Sequence, residues 1–485
     1  MTGVGILAYG AYVPRQRMVR KAIVEANAWF DPSLKALGRG ERAMANWDED
    51  PITMSVEAVR DALGGRDRAT ISAVCFASTT APFLDRLNAG VIAGALDLPE
   101  EIVASDATGS QRAGTTALLD ALSGTRSTLV VAGEQRRARA ASPSELTSGD
   151  GAAAMLVGAG RPVAVLLAAA SRTVDFVDHF RTEESGYEYR WEDRWVRDMG
   201  LTQIVPPVIQ QCLHQAGVDA ADVTRFCLAT TVAKGAESIA KAVGIPPTAI
   251  ADNLQANCGD TGTAHPLVML AHALELASPG DRILVASFGQ GADAMLFEVT
   301  DEITHFSPRL GVSGHLARRK EVTSYSRFMA FRGTVEMERG MRSEGDKQTP
   351  LAYMWRNRAA ITAFVGGRCT TCGTPQFPAS RICVAPGCNA LDTQEPYPFA
   401  ERIGVINSYT ADLLSYSPDP PNCYGMVTFA AGGRWMLDFT ELDAADMAVG
   451  MEMRMMFRIK EVDTQRGFRR YFWKAAPATE IAEGA

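Results

Sequence analysis

Within the 485-residue chain, Cys369-Thr-Thr-Cys372-Gly is followed eleven residues later by Cys383-Val-Ala-Pro-Gly-Cys388. Two close cysteine pairs, each on a glycine-containing turn, can set four thiolates at the corners of a tetrahedron, the arrangement structural zinc requires. A single redox pair would leave the second pair unexplained. No histidine or carboxylate stands close enough in sequence to suggest an open catalytic position, so the expected cofactor is a structural Zn2+. Such an ion closes a knuckle too small to bury its own core. Of the nine cysteines the other five are scattered, and the first residues, MTGVGILAYGAYVP, lack a basic stretch followed by an apolar core. The pattern favours metal binding plus buried thiols over disulfides, and a cytoplasmic location is expected.

A chain this long calls for two or three domains. A formal charge of −8 opposes a nucleic-acid partner. Gly151–Ala170, the most apolar run, is split by Arg161-Pro162, which marks a turn between two buried strands and not a membrane span. The first 300 residues alternate short strand-like runs with helical stretches, an α/β pattern. Ala73–Ala77 is an expected strand, Leu87–Leu98 a helix and Thr128–Ala132 a buried strand. The second half repeats the theme in Arg225–Ala229, Ala236–Val243 and Arg282–Ser287. Gly149-Asp-Gly-Ala-Ala-Ala-Met-Leu-Val and Gly289-Gln-Gly-Ala-Asp-Ala-Met-Leu-Phe agree at six of nine positions, an internal echo that supports duplication. From about Asp301 to Lys347 the composition turns charged and irregular, as in a linker with one or two helices. A helix is expected over Leu351–Ala363, and Met451–Lys460 alternates like a barrel strand with one buried face, lapsing only at Met456.

Helix, four-cysteine knuckle and a barrel containing Gly404-Val-Ile-Asn-Ser-Tyr-Thr410 together resemble the domain-of-unknown-function 35 accessory proteins over residues 349–477. That resemblance implies a rubredoxin-like zinc ribbon and a small OB-fold β-barrel that help form an acyl-coenzyme A channel. Fusion removes the concentration dependence of such a partnership. Ser105–Leu118, Glu134, Thr147–Gly158, Thr173–Arg181 and Gly259–Glu275 leading into Pro279–Gly289 resemble archaeal-type 3-hydroxy-3-methylglutaryl-coenzyme A synthases, over about residues 3–335. This second resemblance implies a duplicated five-layer thiolase fold, coenzyme A as part of an acyl-thioester substrate, and a homodimer built around Ser105–Leu118. A second thiolase or a carrier protein is a possible further partner. The expected division is 1–170 and 171–335 for the two thiolase-like halves, then 336–364 linker and helix, 365–395 zinc ribbon, 396–477 OB-fold and 478–485 tail.

The same resemblance assigns the site. In the family a cysteine at a strand-to-helix elbow attacks the thioester, just before a run like Arg112-Ala-Gly-Thr115; this chain has Gln111 there, with Ser110 before it. The family's glutamate, three residues before a proline matching Pro82, corresponds to Thr79. Its histidine corresponds to Ala229, and its asparagine to Asp260. A covalent acyl-enzyme made in the usual way is therefore not expected. Gln111 offers an amide N–H donor beside a helix N-terminus, suited to an enolate or thioester oxyanion. Asp260 is the expected general base, with opposing effects of burial and helix terminus on its pKa, and His265 its candidate partner. The favoured reaction is non-covalent, retro-aldol cleavage of a β-hydroxyacyl thioester. Decarboxylation of a malonyl-type thioester, acyl transfer or condensation through Ser110 or Cys258, and a non-catalytic scaffold remain open. His179 and His272 are expected to be structural or surface residues. Tyr187, Tyr189, Trp191 and Trp195 are expected either to border the acyl pocket or simply to pack.

Overall fold

The structure is a computed structural model that describes residues 3–478; of the expected tail, residues 479–485 lie outside it, as do Met1 and Thr2. Nine strands form one sheet: β1 (Val4–Tyr12), β2 (Ala73–Ala77), β3 (Val103–Ala107), β4 (Thr128–Gln135), β5 (Asp150–Ala159), β6 (Ala164–Thr173), β7 (Arg225–Leu228), β8 (Arg282–Phe288) and β9 (Gly291–Val299). Their spatial order is β7-β8-β9-β6-β1-β5-β4-β2-β3. From the centre outward, the N-terminal half runs β1-β5-β4-β2-β3, and the other half β6-β9-β8-β7. A single parallel bridge, Phe226 to Ile250, stands where a fifth strand would follow. In both halves the two pairings nearest the centre are antiparallel and the outer ones parallel. The echoed segments lead into β5 and β9, equivalent strands, which gives the duplication a structural basis.

Alternation along these strands builds five layers. Ala153, Met155 and Val157 of β5 face a middle core with Met295 and Phe297 of β9, where the helices α2 (Ala113–Ser123) and α4 (His265–Glu275) pack. Ala152, Ala154 and Leu156 face outward onto α1 (Pro51–Leu63). Ala294 and Leu296 face α3 (Thr202–Ala216) on the opposite outside. Helix α1 is started by Asp50, whose side chain accepts from Thr53 N–H while Thr53 Oγ1 accepts from Asp50 N–H, with Pro51 at the first helical position. As expected, Arg161-Pro162 separates two strands; β5 and β6 flank β1 instead of pairing with each other. No helix among the described residues is long and apolar enough to cross a membrane.

Three expectations change. The charged stretch after Asp301 is no free linker in its first part. Lys320–Val322 pairs in parallel with Gln16–Val19, and Ile303, Val312 and Phe328 are buried. The helix over Leu351–Ala363 is two short ones, Leu351–Arg356 and Arg358–Ile361. Asn357 interrupts them, its side-chain amide donating to the Tyr353 carbonyl at 2.9 Å. The third change concerns the strand at Met451–Lys460. It belongs to a five-stranded antiparallel sheet of β10 (Gly404–Asp412), β11 (Asn422–Phe429), β12 (Arg434–Asp438), β13 (Glu452–Asp463) and β14 (Phe468–Pro477), in the order β12-β11-β10-β13-β14. A parallel bridge between Phe439 and Ala475 brings its two edges together. From Met455 to Ile459 every residue of β13 is buried, because the second face lies against the thiolase-like half.

That seam is densely ionic. Arg60 of α1 pairs with Glu57 (2.8 Å) and Glu401 (2.9 Å) and donates to the Met455 carbonyl at 2.7 Å. Arg458 of β13 pairs with Glu49 and Glu441 at 3.0 Å each. Lys474 reaches Asp48 at 2.9 Å, and the Tyr471 hydroxyl donates to Asp50 at 2.8 Å. Burial alone would raise the Glu441 pKa, but Arg318, Arg454 and Arg458 together hold it well below the usual carboxylate range.

Candidate active site

Between β3 and α2 the chain turns sharply, with Gly109 at φ 91°, and presents Ser110, Gln111 and Arg112. The Gly289 carbonyl accepts from Ser110 Oγ (2.7 Å) and from Arg112 Nε (3.1 Å). Arg112 is fixed further by Asp293 at 2.9 Å. The elbow is thus tied to the segment that enters β9.

Gln111 is left facing a cavity of about 90 Å3. Arg136 Nη1 donates to Gln111 Oε1 at 3.4 Å, which orients the amide. Gln111 Nε2 then faces Thr79 Oγ1 at 3.4 Å and His179 Nε2 at 3.2 Å. An amide nitrogen can only donate, so His179 Nε2 is the acceptor and its proton sits on Nδ1, 2.8 Å from Asp178 Oδ2. His179 reaches the cavity because it lies on a two-residue hairpin strand, paired in register with Arg190, while Phe180 pairs with Tyr189. Alternation turns His179 and Arg190 to the cavity and leaves Phe180, Tyr189 and Trp191 exposed. The expected aromatic border is therefore made instead by the polar residues interleaved with it, Glu188 and Arg190. Trp195 stacks on Phe176 with ring centroids 6.0 Å apart, away from the cavity lining.

The Glu188 carboxylate holds Arg136 through two bonds of 2.6 and 2.5 Å. Asp260 lines the cavity 4.0 Å from Arg136, and its Oδ1 accepts from Gly262 N–H at 2.7 Å. Burial pushes the Asp260 pKa up, but His265, Arg136 and the Gly262 N–H outweigh it, so the carboxyl lies below its ordinary value. Behind the elbow, the buried Glu134 carboxylate accepts from the Thr79 N–H and hydroxyl, both at 3.1 Å, and from the Thr80 hydroxyl.

In the C-terminal region the four cysteine sulfurs lie within 4.8 Å of one another. Cys372 and Cys383 sulfurs are 3.5 Å apart, and Cys369 and Cys388 sulfurs 3.9 Å. A tetrahedral Zn–S bond of about 2.3 Å needs sulfurs roughly 3.8 Å apart, so the donor set fits zinc.

The sequence is 29% identical to hydroxymethylglutaryl-CoA synthase of Aeropyrum pernix, covering 68% of this chain and 94% of that one. The enzyme of the same name from Methanocella arvoryzae is 28% identical, covering 69% and 99%. A crystal structure of HMG-CoA synthase complexed with CoA superposes with a TM-score of 0.60 at 20% identity, covering 72% of this chain and 95% of that one. The chain has the thiolase fold. Residues 213–298 match the 3-oxoacyl-[acyl-carrier-protein] synthase III C-terminal family, and 3-oxoacyl-[acyl-carrier-protein] synthase III from Aquifex aeolicus superposes with a TM-score of 0.54, at 20% identity over 61% of this chain and 100% of that one. Residues 356–392 match the ChsH2 rubredoxin-like zinc ribbon domain.

On this thiolase scaffold the six residues singled out from sequence divide cleanly. Gln111 and Asp260 line the cavity, and Thr79 touches Gln111. Ser110 is committed to the Gly289 carbonyl. Cys258 is fully buried with its thiol on the Leu254 carbonyl at 3.3 Å, and burial pushes its pKa up to about 12. His265 stands outside the cavity lining. Its Nδ1 accepts from Thr261 N–H at 3.2 Å and its Nε2 lies 2.9 Å from the Asn253 carbonyl. His179, expected to be a structural or surface residue, is the histidine that meets Gln111. The signal that could have found it is the Asp178-His179 pair, with the aromatic–charged alternation of Tyr187–Trp191 opposite.

Proposed function

We propose that the chain cleaves a β-hydroxyacyl-CoA by a retro-aldol reaction without a covalent acyl-enzyme. The observation that carries this reading is the chain Asp178–His179–Gln111, an unprotonated imidazole nitrogen next to an amide donor. With substrate bound, the β-hydroxyl takes the place of Gln111 as donor to His179 Nε2, which removes its proton, and Asp178 stabilises the resulting imidazolium. The Cα–Cβ bond then breaks, its electron pair forms the thioester enolate, and Cβ leaves as a carbonyl compound. Gln111 Nε2 donates to the enolate oxygen, and the proton on His179 returns to Cα. Asp260, held ionised beside Arg136, acts by orienting that arginine and so the Gln111 amide. This moves the base from Asp260 to His179. Acyl transfer is disfavoured by the committed Ser110 hydroxyl and the buried Cys258 thiol.

In this reading Zn2+ on Cys369, Cys372, Cys383 and Cys388 is structural, and the five-stranded sheet is an OB-type barrel whose edges close at Phe439 and Ala475. A homodimer forms across the edge strand β3, whose Val103 is 48% exposed. The test is to mix the protein with a panel of 3-hydroxyacyl-CoA thioesters and follow products by mass spectrometry. Shortened acyl-CoA with an unmodified protein mass is expected. An acyl adduct on the protein, or no cleavage across the panel, overturns the proposal.

A further inference from the structure

We infer that the cavity selects a short, uncharged acyl group and rejects one that ends in a carboxylate, an inference that rests on reading the cavity as an acyl-thioester site. The first argument is electrostatic. Among the lining residues, two arginines, Arg136 and Arg190, face three carboxylates, Asp178, Glu188 and Asp260. His179 presents its Nε2 to the Gln111 amide. Neither arginine is free to receive an anion. Arg136 is held by both oxygens of Glu188 and lies 4.0 Å from Asp260. Arg190 pairs with Asp193 at 3.0 Å and donates to Thr231 Oγ1 at 3.1 Å. On the acidic side compensation is incomplete, since Asp178 Oδ1 is buried with no hydrogen-bond partner among the described residues. A carboxylate entering this space meets more carboxylates than arginines, and like charges repel.

The second argument is size. A cavity of about 90 Å3 equals the share of roughly three waters. It has room for a few heavy atoms beyond the thioester carbon. Its walls offer hydroxyls and amides at Thr230, Thr231, Ser287 and Gln111, groups that satisfy a neutral hydroxylated fragment. A 3-hydroxy-3-methylglutaryl group, which ends in a carboxylate, fits this lining poorly.

The experiment compares two thioesters of equal length that lack a β-hydroxyl and so are not turned over. Valeryl-CoA and glutaryl-CoA are titrated calorimetrically into the full-length protein. Glutaryl-CoA is expected to bind roughly 100-fold more weakly. Glu188→Gln releases Arg136 and is expected to tighten glutaryl-CoA about tenfold or more while leaving valeryl-CoA within twofold. Equal or tighter binding of glutaryl-CoA to the unmodified protein overturns the charge rule alone, as does a Glu188→Gln change that moves both ligands together. If neither thioester binds, the acyl-thioester reading of the cavity falls, and the charge rule with it.

Discussion

The seam between α1 and the C-terminal five-stranded sheet and the cavity at Gln111 are both crowded with buried charge, yet they spend it differently. In the seam the main ions meet partners of opposite sign and backbone groups that pin them: Arg60 bonds Glu57, Glu401 and two carbonyls, of Met455 and Ala400. In the cavity the groups are linked in a line, Asp178 to His179 to Gln111 to Arg136 to Glu188. Both regions hold buried polar atoms with no hydrogen-bond partner among the described residues, Asp178 Oδ1 in the cavity and Asp48 Oδ1 and Arg458 Nε in the seam. A network cross-linked in several directions gives rigidity and fixes how two parts sit together. A line of donors and acceptors that borders a cavity retains capacity to bind and move a proton. Buried charge alone therefore does not mark a site; access to a cavity does.

Predictions from the largest effect downward test that contrast. The C-terminal side should fail first by losing its metal. One zinc per chain is expected, and Cys372→Ser should unfold the ribbon, because structural zinc supplies about 10–16 kcal/mol to such modules. Elemental analysis showing under half an equivalent in protein purified without chelator would refute it. Next, Arg60→Ala should cost about 3–5 kcal/mol in denaturant unfolding, since Glu57 and Glu401 would lose their buried partner. A loss below about 1 kcal/mol would mean that Arg60 does not hold the seam together. In the cavity the balance should invert. His179→Ala is expected to lower kcat/KM by about 10²–10⁴ and Gln111→Ala by about 10²–10³, each with a melting temperature close to that of the parent. A large stability loss in either would place them with the seam residues. Asp260→Asn should cost less than about tenfold, because an amide oxygen still accepts from Gly262 N–H. A loss comparable with His179→Ala would return the base to Asp260.

Most of the architecture was legible because it rests on local patterning. Ala73–Ala77 and the run from Arg282 fall where alternation and flanking turns place them, and the cysteine spacing announces the ribbon. What stayed hidden depends on partners remote in sequence. Arg458 looks like the exposed face of a barrel strand, but Glu49, some four hundred residues earlier, buries it. The site was half legible for the same reason. Gln111 and Asp260 stand at motif positions, whereas His179 acquires its role only when a two-residue hairpin turns it toward Gln111. His265 shows the converse: it is near Asp260 in sequence, but its ring nitrogens are engaged by Thr261 and Asn253.

The smallest effect expected is also the sharpest test of a mechanism without a nucleophilic thiol. Cys75, Cys227 and Cys258 are the cysteines nearest the sheet and the cavity-bearing segments, and burial raises the pKa of each, to about 12 for Cys227 and Cys258. At pH 8 a thiol with that pKa is ionised in roughly one molecule in 10⁴. Iodoacetamide should therefore leave Cys227 and Cys258 unlabelled in the folded protein while labelling both after denaturation. Replacing all three by alanine removes one sulfur from each tightly packed position, at a cost of about 1 kcal/mol per site. Turnover should stay within about threefold of the parent, since no bond to sulfur forms in the proposed reaction. Loss of turnover with the fold intact, or native labelling of Cys258 that substrate blocks, would restore a covalent route and dissolve the distinction between a cross-linked seam and a proton-moving cavity.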